Sequence, residues 1–295
     1  STQPSHRQYT RYEIVSLRAK LVRWGDANLP LGLFVEMRSY RCSALMMLCF
    51  SVLYILYLDT EHVSDSLFLE SLAQQFHKHP VGHRRALIMH GSSEKVERTF
   101  EAEGEFIERE NGLLQVDTEE QRRLVERDLR ETNQSIVATL TDQVVPTVGI
   151  QGTDRQLLRR TDAGEVDATA NLGWLDALLK QHVVAVVSSM VAESDDTIAE
   201  EVPLPEATAA LARYFAADAV TDDPPVRVVL FHPDDTPGLR DDDALLDACA
   251  PTHPNMPHKN AVQTLAAAHV PVLVTNLRGF FDGDTPTGTR VVPSD

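Results

Sequence analysis

Between Val52 and Thr275 the chain alternates short apolar runs with longer segments of helical period, and no other feature constrains its fold as tightly. The runs are Val52–Leu58, Ala86–Met89, Pro146–Ile150, Val183–Val187, Val226–Phe231 and Val270–Thr275. Helical spacing fills the intervals at Ser66–Phe76, Glu94–Glu103, Glu119–Thr141, Leu172–Lys180, Glu206–Ala216 and Asn260–Ala268. The third helix carries the clearest start signal, with Thr118 and Gln121 in capping-box spacing ahead of Val125, Leu129, Ile136, Val137 and Leu140. Strand and helix in strict turn predict an α/β fold, with parallel pairing, right-handed crossovers and helices on both faces of the sheet.

At 295 residues the chain is long enough for one large α/β domain or two lobes. The acidic stretch Glu193–Glu201 reads as a loop and a hinge between lobes, which divides the chain into 1–50, 51–192 and 193–295. Within the first part, Ile14, Leu17, Leu21 and Trp24 mark an amphipathic helix over Tyr12–Trp24, ended by Pro30 and Gly32. A formal charge of −17, with five lysines among 27 basic residues, argues against a nucleic-acid partner and fits a salt-adapted surface. Cys42, Cys49 and Cys249 have no paired spacing, which favours the cytoplasm. The run Cys42–Leu58 is at the lower limit for a membrane span and begins too far from the N-terminus for a usual signal peptide. The membrane reading is the weaker one; the stronger splits the run into a buried helix and a buried strand.

Ligands of parallel sheets bind beyond the carboxyl ends of the strands. Those ends carry His90-Gly91-Ser92-Ser93, Gln151-Gly152-Thr153-Asp154, Ser188-Ser189, His232-Pro233-Asp234-Asp235 and Asn276. The first reads either as a cradle for a phosphate or carboxylate, or as an ordinary turn with Ser93 capping the next helix. His77, His79 and His83 lie in a solvated turn, and Asp234, Asp235 and Asp241–Asp243 on a solvated face, so no metal site is expected. Gly283–Val292 reads as a turn entering a short terminal strand.

Several passages, in order, resemble the amino-acid kinase family, most closely its N-acetylglutamate kinase branch, with similarity to aspartate kinases near the C-terminus. Asp65–Ala73 is similar to the family's first helix, and Leu87–Ser93 to its strand and His-Gly-Gly-Gly loop. Asn111-Gly112-Leu113, Asn133 and Val148–Asp154 resemble its substrate-lobe segments. Pro237-Gly238-Leu239 looks like the nucleotide-lobe turn, Met256–Lys259 like the Met-x-Pro-Lys segment, and Gly288–Val291 like the closing Gly-Thr-x-Ile.

The resemblance implies a three-layer αβα sandwich around a mainly parallel open sheet, with an amino-acid lobe followed by a nucleotide lobe. It also implies ATP with Mg²⁺, transfer of the γ-phosphoryl group to the side-chain carboxylate of a small amino-acid derivative, and a homo-oligomer, dimer or hexamer. In that pattern Lys259 neutralises phosphoryl charge, His90, Gly91, Ser92 and Ser93 form the substrate loop, and Pro237, Gly238 and Leu239 line the nucleotide side. The sequence departs from the pattern at the first-strand lysine, which becomes Tyr57, and at the substrate-clamping arginine, which becomes Leu114 with no local replacement. Glu206 is the acid nearest the catalytic aspartate position. Arg155 and Lys95 are the cations that sequence order offers as substitutes. The leading reading is an N-acetylglutamate-kinase-like enzyme of arginine or related amino-acid biosynthesis with most of the family's catalytic positions substituted; the alternative is a non-catalytic paralogue that binds a metabolite or a kinase subunit and regulates it.

Overall fold

The apolar run before Asp59 becomes strand β1 (Leu53–Leu58), every residue of which is buried. Its side chains alternate between two separate cores: Leu53, Ile55 and Tyr57 enter one, Tyr54, Leu56 and Leu58 the other. A strand covered on both faces has no solvent side, so all its positions are apolar or aromatic. The computed structural model describes residues 52–79, 84–192, 199–217, 225–233, 235–241, 244–283 and 285–292. The N-terminal amphipathic segment Tyr12–Trp24, the start of the Cys42–Leu58 run, His83, Asp234, Asp242 and Asp243 lie outside them.

From β1 the chain runs through α1 (Thr60–Ser64), α2 (Ser66–Lys78), β2 (Arg85–His90), α3 (Glu94–Glu103), the hairpin β3 (Arg109–Glu110) and β4 (Leu113–Leu114), α4 (Glu119–Asp142) and β5 (Thr147–Ile150). The short pair β6 (Leu158–Arg160) and β7 (Val166–Ala168) then precedes α5 (Gly173–Lys180), β8 (Val184–Ser188), the pair β9 (Met190–Val191) and β10 (Glu200–Glu201), and α6 (Leu204–Ala216). The remainder comprises β11 (Val226–Phe231), β12 (Arg240–Asp241), β13 (Ala244–Leu245), β14 (Ala248–Cys249), α7 (Lys259–Ala267), β15 (Val272–Thr275), α8 (Leu277–Phe281) and β16 (Thr289–Val291).

Eight strands form one sheet in the order β14-β16-β15-β11-β1-β2-β8-β5, parallel throughout except for the antiparallel pair β15–β16. One face is covered by α5, α6 and α7 through Leu175, Leu211 and Leu265; the other by α2, α4 and α8 through Leu72, Ile136 and Phe280. This is the three-layer αβα sandwich. A smaller cluster of Val96, Phe100, Leu114, Val125, Leu129 and Met190 joins α3, α4 and the β3–β4 hairpin beyond the strand ends.

The expected elements are present with small shifts at their ends. The Thr118–Gln121 capping box is complete, each side chain bonding the other's backbone. Strand β15 begins at Val272 rather than Val270 because Val270 N–H closes the end of α7 on Leu265 O at 3.0 Å and Pro271 has no N–H to give. The acidic stretch is not loop throughout: Glu200–Glu201 is strand, paired with Val191 and Met190, and residues 193–198 lie outside the described set. None of the described helices is long and apolar enough to cross a membrane. The chain passes from β1 to β2 on one side and returns to β11 on the other, so the sheet's switch point lies between β1 and β11.

Candidate functional site

The turn after β2 brings His90, Gly91, Ser92 and Ser93 to the carboxyl end of the sheet, and all three side chains of this turn are buried. The hydrogen-bond donors of Ser92 and Ser93 are already engaged. Ser92 N–H and Oγ–H donate to Glu201 Oε1 and Oε2 at 2.7 and 2.9 Å. Ser93 N–H and Oγ–H donate to Asp128 Oδ2 and Oδ1 at 2.8 and 2.7 Å. The capping role is present, since Ser93 caps α3 through Lys95 N–H at 3.3 Å, and the carboxylates on the loop are the chain's own. Burial pushes the Glu201 carboxyl up to about 7, against the opposing pull of Ser92 and Arg109. Burial likewise raises Asp128, although Ser93 and the nearby Lys95 charge oppose it.

His90 is tied into the frame. Asn133 Nδ2–H donates to its Nε2 at 3.0 Å and to Val186 O at 2.9 Å, while His90 Nδ1–H faces Gly91 O at 3.0 Å. That network fits the neutral ring, and burial pushes its pKa down to about 4. Gly149 leaves room for this arrangement: a Cβ there would lie 2.3 Å from Asn133 Oδ1.

One arginine does reach this loop, Arg109. Asn111 and Gly112 both adopt positive φ, 52° and 84°, and close a two-residue turn that sets Arg109 directly opposite Leu114. Directly opposed residues share a face, so Arg109 enters from the facing strand, its Nη1–H donating to Ser92 Oγ at 3.1 Å and its Nε–H to Glu97 Oε1 at 2.6 Å. Its Nη2 is buried with no hydrogen-bond partner among the described residues. Arg155 instead lies over the Trp174 ring at 5.2 Å, and Lys95 pairs with Glu131 on the surface. Glu206 is exposed on α6, whereas Glu201 is the acid that reaches the loop.

At the switch point, Tyr57 is buried at the end of β1, and burial next to Asp59 keeps its phenol protonated. Asp59 caps α1 through His62 N–H at 3.0 Å. Its two carboxylate oxygens meet His62 Nδ1 at 2.7 Å and His258 Nδ1 at 2.9 Å. Burial opposes the Asp59 charge, but hydrogen bonds from His258 and His62 outweigh it and hold the carboxyl far below its ordinary value. Burial depresses His258, yet its bond to Asp59 raises it overall.

Lys259 is the first residue of α7 and is exposed, with no hydrogen bond or ion pair among the described residues. Its neighbour Asn260 donates from Nδ2 to Asn111 Oδ1 at 2.9 Å, joining α7 to the hairpin turn. The Pro237-Gly238-Leu239 turn packs inward: Gly238 N–H donates to His232 Nε2 at 3.2 Å and Leu239 N–H to Thr289 Oγ1 at 2.8 Å. Gly238 has φ 138°, and a Cβ there would lie 2.8 Å from Thr289 Oγ1. The Ser92 and Ser93 amides are taken and Asp59, Asp128 and Glu201 lie around the strand ends, so Arg109 and Lys259 are the cations these segments offer to a phosphate.

No protein-family model matches the sequence, and no curated protein matches it. Solved structures do match in shape. The N-acetylglutamate synthase of Neisseria gonorrhoeae, solved with coenzyme A and N-acetyl-glutamate, superposes with a TM-score of 0.61 at 15% identity, over 86% of this chain and 63% of that one. The aspartate kinase of Synechocystis gives 0.56 at 15% identity, over 82% and 40%, and an isopentenyl phosphate kinase 0.50 at 19%, over 81% and 100%. The chain thus spans under two thirds of the synthase. These likenesses show the fold: the chain has the amino-acid kinase fold.

Proposed function

With the amino-acid kinase fold as its frame, we propose that this chain is a non-catalytic binding and regulatory protein of the cytoplasm, whose ligand is a small amino-acid derivative or a kinase subunit. The observation that carries this reading is the closed loop after β2. Ser92 already holds a carboxylate through its N–H and hydroxyl, with Arg109 alongside, and that carboxylate belongs to Glu201. Asp128 takes Ser93 in the same way.

A hydrogen bond to a charged group is worth about 1.5–3 kcal/mol net. Breaking two of these four bonds therefore costs an energy comparable to the whole binding energy of a millimolar ligand, about 4 kcal/mol. The competing reading, an N-acetylglutamate-kinase-like enzyme that uses ATP and Mg²⁺ in arginine or related biosynthesis, requires Glu201 and Asp128 to leave before either amide meets a reacting group. It draws support from Lys259, an exposed cation at the start of α7 near the strand ends.

Calorimetry with Mg-ATP, N-acetyl-glutamate and L-arginine, together with an ADP-release assay, separates the two; the Neisseria synthase has been solved with both amino-acid compounds. The regulatory reading expects heat from an amino-acid compound or a kinase subunit and no ADP release above background. Turnover that disappears in Lys259→Ala overturns it.

A further inference from the structure

Asp59, His62 and His258 converge at the switch point between β1 and β11, although the two histidines are 196 positions apart in the chain. Asp59 and His62 share the first turn of α1, where a spacing of three places them on one face. His258 comes from the residue before α7, in the left-handed conformation with φ 48°. One ligand atom from each lies within 4.8 Å of the other two. The side chains are 14–22% exposed, so the group is enclosed yet reachable from solvent.

We propose that these three residues form a binding site for a divalent transition metal of the Zn²⁺ class. Two imidazole nitrogens and one carboxylate oxygen are the donor set such borderline ions select, and hard Mg²⁺ or Ca²⁺ would favour more oxygens. A tetrahedral ion about 2.1 Å from each ligand holds them about 3.4 Å apart, which side-chain rotations reach from the separations present here. His258 has the support expected of a ligand: its Nε2 faces Phe231 O at 3.4 Å, and its Nδ1, which donates to Asp59 Oδ2 at 2.9 Å, would exchange that proton for the ion. Phe68 and Phe231 wall the His62 ring, at centroid distances of 4.5 and 6.2 Å, and lower the local dielectric. Asp59 Oδ1 keeps the α1 cap while Oδ2, the oxygen nearer His258, is available to the ion. Three protein ligands leave a coordination position for water or for an anionic group of a ligand.

Titration of the metal-free full chain with Zn²⁺ by calorimetry, and with Co²⁺ by its visible absorption, tests the site. The expected result is one ion per chain and a tetrahedral-type Co²⁺ spectrum. His62→Ala and His258→Ala should each weaken binding by more than the about 10–100-fold that loss of a supporting residue costs. Asp59→Asn keeps a good helix cap and removes the charged ligand, so it should fold as the parent does by circular dichroism and still lose affinity. No binding by the parent overturns the proposal. So does binding of unchanged affinity in well-folded Asp59→Asn and His258→Ala, which would move the ion elsewhere, for example to the exposed His77 and His79.

Discussion

Glu201 shows how one residue sets the pH response of the candidate site. Its carboxyl is raised from 4.5 to about 7, chiefly by burial. Between those values the folded chain holds a proton that the unfolded chain has released, so stability falls as pH rises through that window. Glu201→Gln retains an acceptor for Ser92 N–H and removes the titration. Thermal midpoints measured from pH 4.5 to 7 should therefore fall for the parent relative to the variant; parallel curves would show that Glu201 keeps its ordinary value. Sequence order names Glu206 as the acid nearest the family's aspartate position and carries no information on which acid faces the Ser92 loop. Only the pairing of Glu201 with Met190 between β10 and β9 supplies that.

At the scale of elements, local signals were legible where local chemistry decides the outcome. The Thr118–Gln121 box starts α4 where its spacing indicated. Thr118→Ala should cost about 1 kcal/mol in denaturant unfolding, and no change would mean that tertiary packing alone holds the helix end. Arg109 went unread, although Asn111-Gly112 carried its signal: the two-residue turn that this pair favours sets the register that puts Arg109 opposite Leu114. The Asp59–His62 half of the switch-point cluster could be seen as a spacing of three on a helical turn. His258 could not, because its approach depends on where β11 sets the start of α7.

For the whole molecule, the strict alternation of runs was sufficient to specify an αβα sheet because parallel strands buried on two faces tolerate little else. Strand order was not legible, and it is strand order that gathers the site. β1 contributes to both cores and pairs with strands from both halves of the chain. Ile55→Ala, at a fully buried position, should therefore cost about 2–5 kcal/mol. The variant should unfold in one transition, with near- and far-ultraviolet circular dichroism moving together. Two separate transitions would show that the sides of the sheet are independent.

The rims of the sheet carry a consequence for self-association. The outermost strands, β14 and β5, are two and four residues long, and Pro146, just before β5, has no N–H to offer. A second chain aligning along either rim would gain a few main-chain bonds at most. Among the described residues, the rims thus offer little main-chain hydrogen bonding for growth edge to edge into filaments.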